Sequence, residues 1–201
     1  MVKRIGIFGG SFNPIHIGHL VIAESAWQEF DLEKVIFVPS GDTPHKDMHH
    51  IDKEARYDMV KEAIRGNPMF TISPVERDRS GPSYTVDPIH ILQQEMGKDI
   101  EFYFICGTDA LADLPTWKYN RELLEICHFI CASRPGYEEK LKKSVTCFGE
   151  LGKEKIHFLK IPELEISSTI LRDLLAHNKS ARYFIPDAVI RFIKKNHLYE
   201  G

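Results

Sequence analysis

Residues 9–20 read GGSFNPIHIGHL, a stretch that places three glycines, a proline and two histidines in twelve positions. Directly before it, VKRIGIF (residues 2–8) has the short apolar character of a buried strand. Directly after it, apolar residues recur at helical spacing as far as Trp27. The stretch is therefore predicted to be a glycine-rich turn from a strand into a helix, with His16 and His19 where the helix begins.

The rest of the chain alternates short apolar segments with helical patterns. The predicted strands are residues 3–8, 34–39, 70–73, 101–106, 128–133 and 155–161. The predicted helices are residues 18–30, 53–64, 86–96, 137–144, 168–177 and 187–196. Asp52 is predicted to cap the second helix and Gly97 to end the third. This alternation indicates right-handed βαβ units, so we expect an α/β, Rossmann-like fold, with a doubly wound, mostly parallel sheet and helices on both faces.

The organisation of the chain predicts one domain. No repeat, low-complexity tract or long linker divides residues 1–201, and the C-terminal helices, about residues 167–198, are expected to pack on that domain. Ligands of such sheets bind beyond the carboxyl ends of the strands. Five loops are therefore expected to share one face, namely those after Phe8, Val38, Cys106, Ser133 and Ile161.

Composition excludes several classes of protein. Hydrophobic residues make up 43% of the 201 residues and charged residues 27%, which argues against disorder. The formal net charge of −3 gives no basic surface of the kind that binds nucleic acid. No segment reaches membrane-spanning length, and we expect a cytoplasmic protein that does not contact a membrane. The Cys127/Cys131 pair lacks zinc-ligand spacing, so we expect no structural zinc.

The glycine-rich turn favours phosphate binding. It is neither G-x-G-x-x-G nor a turn with the lysine of ATPases. Gly9 and Gly10 leave room for a phosphate near the backbone, and Gly18 adds an amide at the start of the helix. His16 and His19 are three residues apart, so both rings can donate to a negatively charged transition state. Two other interpretations stay open: the histidines cap or pack, or they bind a metal with Glu24 as a candidate third ligand.

A second candidate segment, ISSTILRD (residues 166–173), follows the last strand and opens a helix. Ser167 or Ser168 is expected to be the N-cap. Ser168, Thr169 and the amides of the first turn are candidate donors to phosphate, and Arg172 adds a permanent cation. By itself, this segment also fits an ordinary capped surface helix.

Together the two segments resemble a known superfamily. GGSFNPIHIGH resembles the H-x-G-H signature of the nucleotidyltransferases, which also include the class I aminoacyl-tRNA synthetases, and ISSTILR resembles their second signature. The resemblance implies three catalytic residues, His16, His19 and Arg172. It also implies an ATP site that comprises Gly9, Gly10, Ser11, Phe12, Gly18, Gly107, Asp109, Arg134, Ser168 and Thr169. Within that site, CGTDAL (residues 106–111) and SRPG (residues 133–136) carry the adenosine-side residues, and an exposed turn is an equally good interpretation of Arg134.

Three further segments resemble those of the bacterial nicotinate-nucleotide adenylyltransferase family: VPSGDTPHK (38–46), GPSYTVD (81–87) and LPTWKYNRE (114–122). Aromatic side chains beside N–H donors suit a flat pyridine carboxylate. The resemblance implies an acceptor site that comprises His45, Lys46, Ser83, Tyr84, Thr85, Trp117 and Tyr119. In it, Lys46 contacts the mononucleotide phosphate, and Thr85 with Trp117 and Tyr119 holds the nicotinate. His49 and His50 have no assigned role.

The resemblance implies a reaction in NAD biosynthesis. ATP and nicotinate mononucleotide would give nicotinate adenine dinucleotide and pyrophosphate, with Mg²⁺ carried by ATP and no metal site on the protein. A homodimer would fit the family. The alternatives are a related adenylyl- or cytidylyltransferase with another acceptor, such as nicotinamide mononucleotide or phosphopantetheine, a nucleotide sensor without turnover, and a histidine-dependent metal-binding protein.

Overall fold

The computed structural model describes residues 2–41, 51–79, 81, 84–97, 99–133, 138–162 and 164–200. Within these residues the strands form one six-stranded sheet of order β3-β2-β1-β4-β5-β6. The strands are β1 (Lys3–Gly10), β2 (Lys34–Pro39), β3 (Phe70–Ile72), β4 (Ile100–Gly107), β5 (Cys127–Ser133) and β6 (Ile156–Lys160). β1 with β4, β4 with β5, and β5 with β6 pair in parallel.

This order is that of doubly wound dinucleotide-binding sheets. The chain leaves β1 for one edge of the sheet and returns to place β4 on the other side of β1, so the order reverses between β1 and β4. Ligands of such sheets bind beyond the carboxyl ends of the strands at this reversal. The glycine-rich turn leaves β1 at that end. The predicted α/β fold class is confirmed.

Helices alternate with the strands along the chain. Over the described residues they are α1 (Ile17–Glu29), α2 (Lys53–Ile64), α3 (Val86–Met96), α4 (Thr108–Asp113), α5 (Asn120–Ile126), α6 (Glu138–Cys147), α7 (Gly149–Lys155), α8 (Ser168–Ala176) and α9 (Asp187–Lys195), with a 3₁₀ turn at Leu114–Thr116. The sequence predicted α1, α2, α3, α6, α8 and α9 to within about three residues at each end. It did not predict α4, α5 and α7, because a helix of six or seven residues is too short to show a helical repeat.

The helix ends follow the predicted local chemistry. Asp52 caps α2, and its carboxylate accepts a hydrogen bond of 2.7 Å from the amide of Ala55. Gly97 ends α3 with φ of +92°, a conformation that glycine adopts without steric cost. At α8 the cap is Ser167, whose hydroxyl accepts from the amide of Ile170. Because Ser167 is the cap, the hydroxyl of the next residue, Ser168, can bond elsewhere, and it donates to the carbonyl of Pro14.

The described residues divide into two compact units. Unit 1 comprises Met1–Gly9, Ile22–Ile36 and Tyr84–Glu163, and unit 2 comprises Gly10–Val21, Phe37–Ser83 and Leu164–Gly201. In unit 1, β4 is buried continuously from Phe102 to Cys106, as expected of a strand that is covered on both faces. In unit 2, α2 packs on α9, and the buried apolar side chains include Phe12, Ile15, Phe37, Met59, Val60, Val189 and Ile193. None of the helices described is long and apolar enough to cross a membrane.

Candidate active site

The first loop of unit 2 runs from Gly10 to His16 and folds back over a buried phenylalanine. The ring of Phe12 is inaccessible to solvent, and its backbone has φ of +47°. A Cβ added at Gly10 would lie 3.1 Å from that ring, so any larger residue there would press on the buried phenylalanine. The amide of Ser40 donates to the carbonyl of Gly10 over 2.9 Å. Because its ring is buried, Phe12 can contact a ligand only through its backbone, whereas Ser11 is exposed.

The two histidines lie together at the start of α1. The ring centroids of His16 and His19 are 3.7 Å apart, and the amide of His16 donates to Nδ1 of His19 over 3.2 Å. Phe12 packs edge-on against His19 at 5.1 Å. A Cβ at Gly18 would lie 3.0 Å from the His16 ring, so Gly18 keeps the space that this ring occupies. Both predicted imidazoles are therefore held by their neighbours in one cluster.

The hydrogen bond to His19 fixes which nitrogen carries the proton. Desolvation by the surrounding protein lowers the pKa of His19 well below its usual range, and the charge of a protonated His16 lowers it further. The ring is therefore neutral at pH 7. Since Nδ1 accepts from the His16 amide, the proton is on Nε2. His19 can thus donate one hydrogen bond, from Nε2, to an anionic oxygen.

The second signature contacts the first loop directly. The hydroxyl of Ser168 donates to the carbonyl of Pro14 over 3.0 Å. One nitrogen of the Arg172 guanidinium donates to the carbonyl of Asn13 over 2.9 Å, and the other donates to Thr169 Oγ1 over 3.3 Å. All of these residues belong to unit 2. The structure thus joins the two segments that the sequence places near opposite ends of the chain.

Asn13 accepts hydrogen bonds from two distant residues, and the sequence did not indicate this. Besides the bond from Arg172 to its carbonyl, its side-chain oxygen accepts a hydrogen bond of 2.5 Å from the hydroxyl of Tyr199. Tyr199 is buried, and this burial raises the pKa of its phenol, so the hydroxyl keeps its proton and donates. No local pattern could have found this contact, because the two residues are 186 positions apart.

We expect Tyr199→Phe to loosen the first loop without removing any group from the site. The variant keeps the ring but leaves the half-buried Asn13 oxygen without its donor, so the free energy of unfolding should fall by about 1–2 kcal/mol. Displacement of the loop should lower kcat about five- to tenfold. Urea unfolding and steady-state kinetics measure the two effects. Tyr183→Phe is the matched control, because Tyr183 is 81% exposed in the same unit. Equal effects in the two variants would contradict the assignment.

A buried arginine of α2 is a second residue that the sequence did not indicate. Arg56 is only 4% exposed, and its guanidinium donates to the carbonyls of Ser11 at 2.9 Å and Gly41 at 2.8 Å. It also donates to the hydroxyl of Ser40 and the carbonyl of Ile51, each at 3.3 Å. Arg56 therefore ties the first loop to the residues on either side of segment 42–50.

Two of the residues predicted to lie on the adenosine side of ATP, Gly107 and Asp109, belong to unit 1. Gly107 ends β4 and caps α4, and Asp109 lies in the first turn of that helix. Both residues are exposed. A Cβ at Gly107 would meet no atom described within 4 Å, so packing does not explain a glycine there. The position instead leaves the backbone open to a ligand.

The aromatic residues predicted to bind the acceptor, Tyr84, Trp117 and Tyr119, also belong to unit 1. Trp117 packs edge-on against Phe104, with ring centroids 6.3 Å apart. Tyr84 and Tyr119 contact each other edge-to-face at 5.5 Å. Thr85 precedes the first residue of α3. The structure thus brings residues of two predicted acceptor segments, GPSYTVD and LPTWKYNRE, into contact.

Other predicted positions lie outside the described residues. They are His45, Lys46, Ser83 and Arg134, together with the unassigned His49 and His50. Over the part of the chain that the structure describes, no three histidine, cysteine, aspartate or glutamate side chains are grouped so as to hold a metal ion. Three of the four cysteines, Cys106, Cys127 and Cys131, are buried, as expected of thiols in apolar strands.

Comparison with known proteins identifies the family. The cytidylyltransferase-like family model matches residues 7–174. A nicotinate-nucleotide adenylyltransferase of Moorella thermoacetica is 46% identical over 198 residues, which cover 98% of this chain and 91% of the relative. A protein of the same name from Thermoanaerobacter sp. is 43% identical over 203 residues, covering 98% and 94%.

Solved structures agree at the level of fold. The Plasmodium falciparum nicotinic acid mononucleotide adenylyltransferase complexed with NaAD superposes with a TM-score of 0.80 at 24% identity, covering 98% of this chain and 97% of that chain. The same parasite enzyme complexed with APC gives a TM-score of 0.75 at 22% identity. The superfamily predicted from the two signatures and the family predicted from the three further segments are both confirmed: the chain belongs to the nicotinate-nucleotide adenylyltransferases, within the cytidylyltransferase-like nucleotidyltransferases.

Proposed function

We propose that the protein transfers the adenylyl group of ATP to nicotinate mononucleotide, giving nicotinate adenine dinucleotide and pyrophosphate. The observation that carries this proposal is the contact between the two signatures, in which Arg172 and Ser168 donate to the carbonyls of Asn13 and Pro14. That contact puts hydrogen-bond donors of α8 beside the loop that leads to His16 and His19. Curated relatives of 40–46% identity carry the name of this activity.

The chemistry needs positioning and charge stabilisation more than covalent help. The acceptor phosphate is already an anion at pH 7, so no general base has to remove a proton. Its oxygen attacks the α-phosphorus of ATP in line. One P–O bond forms there, and the bond from the α-phosphorus to the bridging oxygen breaks. That oxygen leaves with pyrophosphate and takes the electron pair.

The protein groups have distinct roles in this proposal. His19 donates from Nε2 to the α-phosphate, and His16 donates to the α- and β-phosphates. Thr169, Arg172 and the backbone amides of the first turn of α8, including that of Ser168, hold the β- and γ-phosphates, where negative charge grows as pyrophosphate leaves. The hydroxyl of Ser168 keeps its hydrogen bond to the carbonyl of Pro14. Mg²⁺ enters with ATP as part of the substrate. The first loop and α8 suit the binding of a triphosphate, because amide, imidazole and guanidinium donors bind phosphate oxygens.

Pyrophosphate release tests the proposal. The purified protein would be incubated with MgATP and, separately, with nicotinate mononucleotide, nicotinamide mononucleotide and phosphopantetheine. We expect the fastest pyrophosphate release with the nicotinate nucleotide, and ATP labelled at the α-phosphorus should transfer its label to the dinucleotide. Faster pyrophosphate release with phosphopantetheine than with nicotinate mononucleotide would contradict the acceptor that we propose. ATP binding without pyrophosphate release from any acceptor would indicate a nucleotide sensor.

A further inference from the structure

A lysine in the aromatic acceptor segment lies against two tyrosine rings. The ammonium nitrogen of Lys118 is 4.4 Å from the ring centroid of Tyr84 and 4.8 Å from that of Tyr119. It also donates to the hydroxyl of Tyr84 over 3.4 Å. We call these three side chains the Tyr–Lys–Tyr cluster. Cation–π contacts of this geometry hold an ammonium in place without neutralising its charge.

The backbone on both sides of the cluster is fixed. Tyr119 is the N-cap of α5 and has φ of +63°, a left-handed conformation that is uncommon for a tyrosine. The next residue, Asn120, holds it there, because its side-chain amide donates to the carbonyl of Pro115 over 2.9 Å. The amide of Tyr84 donates to the side chain of Asp87, in the first turn of α3, over 3.0 Å. The backbone of each tyrosine is thus placed at the start of a helix.

The cluster faces solvent although it is aromatic. Tyr84 is 37% exposed and Tyr119 is 45% exposed, and Lys118 is exposed between them. Hydrogen bonds to the hydroxyls of Tyr119 and Tyr84 raise the pKa of Lys118, so the ammonium stays charged. An exposed aromatic surface that carries one cation complements a flat ring that carries one negative charge. A neutral ring of the same shape would gain the stacking contact but not the charge contact.

We propose that Lys118 is a specificity-determining residue, whose ammonium favours the pyridine carboxylate of the acceptor over the corresponding amide. This inference rests on the proposed function, since it assigns a side chain to the acceptor site. It adds to the roles that the family resemblance gives to Thr85, Trp117 and Tyr119. In this proposal Lys118 contacts the pyridine ring and not the reacting phosphate, so it acts on binding and takes no part in bond formation.

The test compares two acceptors in each variant. We expect Lys118→Met to lower the ratio of kcat/KM for nicotinate mononucleotide over nicotinamide mononucleotide by about five- to tenfold, which is the size expected for loss of one charged contact at a partly exposed site. The change should come from a higher KM for the acid, with the amide values unchanged. Lys118→Arg should keep the ratio, because it keeps the charge. The control is Lys142→Met on α6, which removes one exposed charge elsewhere in unit 1.

The outcomes separate the role of Lys118 from the proposed function. An unchanged ratio in Lys118→Met, with a wild-type protein that prefers the acid, would overturn the role of Lys118 and leave the proposed function standing. An equal loss for acid and amide would mean that the lysine only supports the tyrosine rings, and this also overturns it. A wild-type protein that releases no pyrophosphate with the nicotinate nucleotide would overturn the proposed function and the inference together.

Discussion

Replacing His19 by alanine should lower kcat by about 10²–10³ while the fold stays intact, because one well-aimed donor to the transition state is lost. The structure indicates which nitrogen of His19 is the donor. Nδ1 of His19 is occupied by the amide of His16, so only Nε2 can donate to the α-phosphate. Steady-state pyrophosphate release measures the rate, and circular dichroism with thermal unfolding checks the fold. Near-wild-type turnover in the folded variant would remove the role that we give to His19.

A second variant separates a lost donor from lost packing. In His19→Gln, the side-chain amide nitrogen can take the place of imidazole Nε2, so we expect it to recover part of the rate that alanine loses. His177→Ala is the control, since His177 is an exposed histidine at the C-terminal end of α8. It should retain wild-type kcat. If glutamine and alanine were equally inactive, contact between the ring and Phe12 would explain the loss better than the Nε2 donor.

Replacing Arg56 by methionine should lower the free energy of unfolding by about 3 kcal/mol. Methionine fills much of the same space but donates no hydrogen bonds, so it leaves the carbonyls of Ser11, Gly41 and Ile51 without the guanidinium. Each buried acceptor that loses its donor costs about 1–3 kcal/mol, and loop movement and water entry recover part of the total. Urea unfolding with linear extrapolation gives the change.

The control for this variant lies on the same stretch of chain. Arg65 follows the last residue of α2, its side chain is 70% exposed, and it pairs with Glu62. Arg65→Met should therefore change the free energy of unfolding by less than about 0.5 kcal/mol. Arg56→Met should also lower kcat, because Ser11 belongs to the first loop. A loss of stability no greater than that of Arg65→Met would show that the buried guanidinium does not hold the loops.

The sequence was informative wherever local chemistry determines structure. The alternation of apolar strands with helical patterns was sufficient for the fold class, because strands covered on both faces and amphipathic helices leave different repeats. Asp52 and Gly97 were predictable as helix ends for the same reason, since a cap depends on residues within one turn. The placement of His16 and His19 at the start of α1 followed from the glycine-rich turn.

Contacts between distant residues could not be predicted in this way. Nothing in the motif distinguishes Asn13, yet it accepts hydrogen bonds from Arg172 and Tyr199, which are brought to it only when the chain folds. Arg56 reads as one more polar residue of an amphipathic helix until its burial is known. Phe12 lies within the predicted ATP site, but its ring belongs to the core of unit 2. In each case the sequence does not show which distant residues the side chain contacts in the folded protein.

The central claim is that the loop bearing His19 and the helix bearing Arg172 hold one triphosphate. A crystal structure with a non-hydrolysable ATP analogue and Mg²⁺ tests it most directly. We expect Nε2 of His19 and the Arg172 guanidinium each to lie within about 3.2 Å of phosphate oxygens of the same analogue. A triphosphate bound with either side chain turned away from it, or bound elsewhere on the protein, would contradict the account.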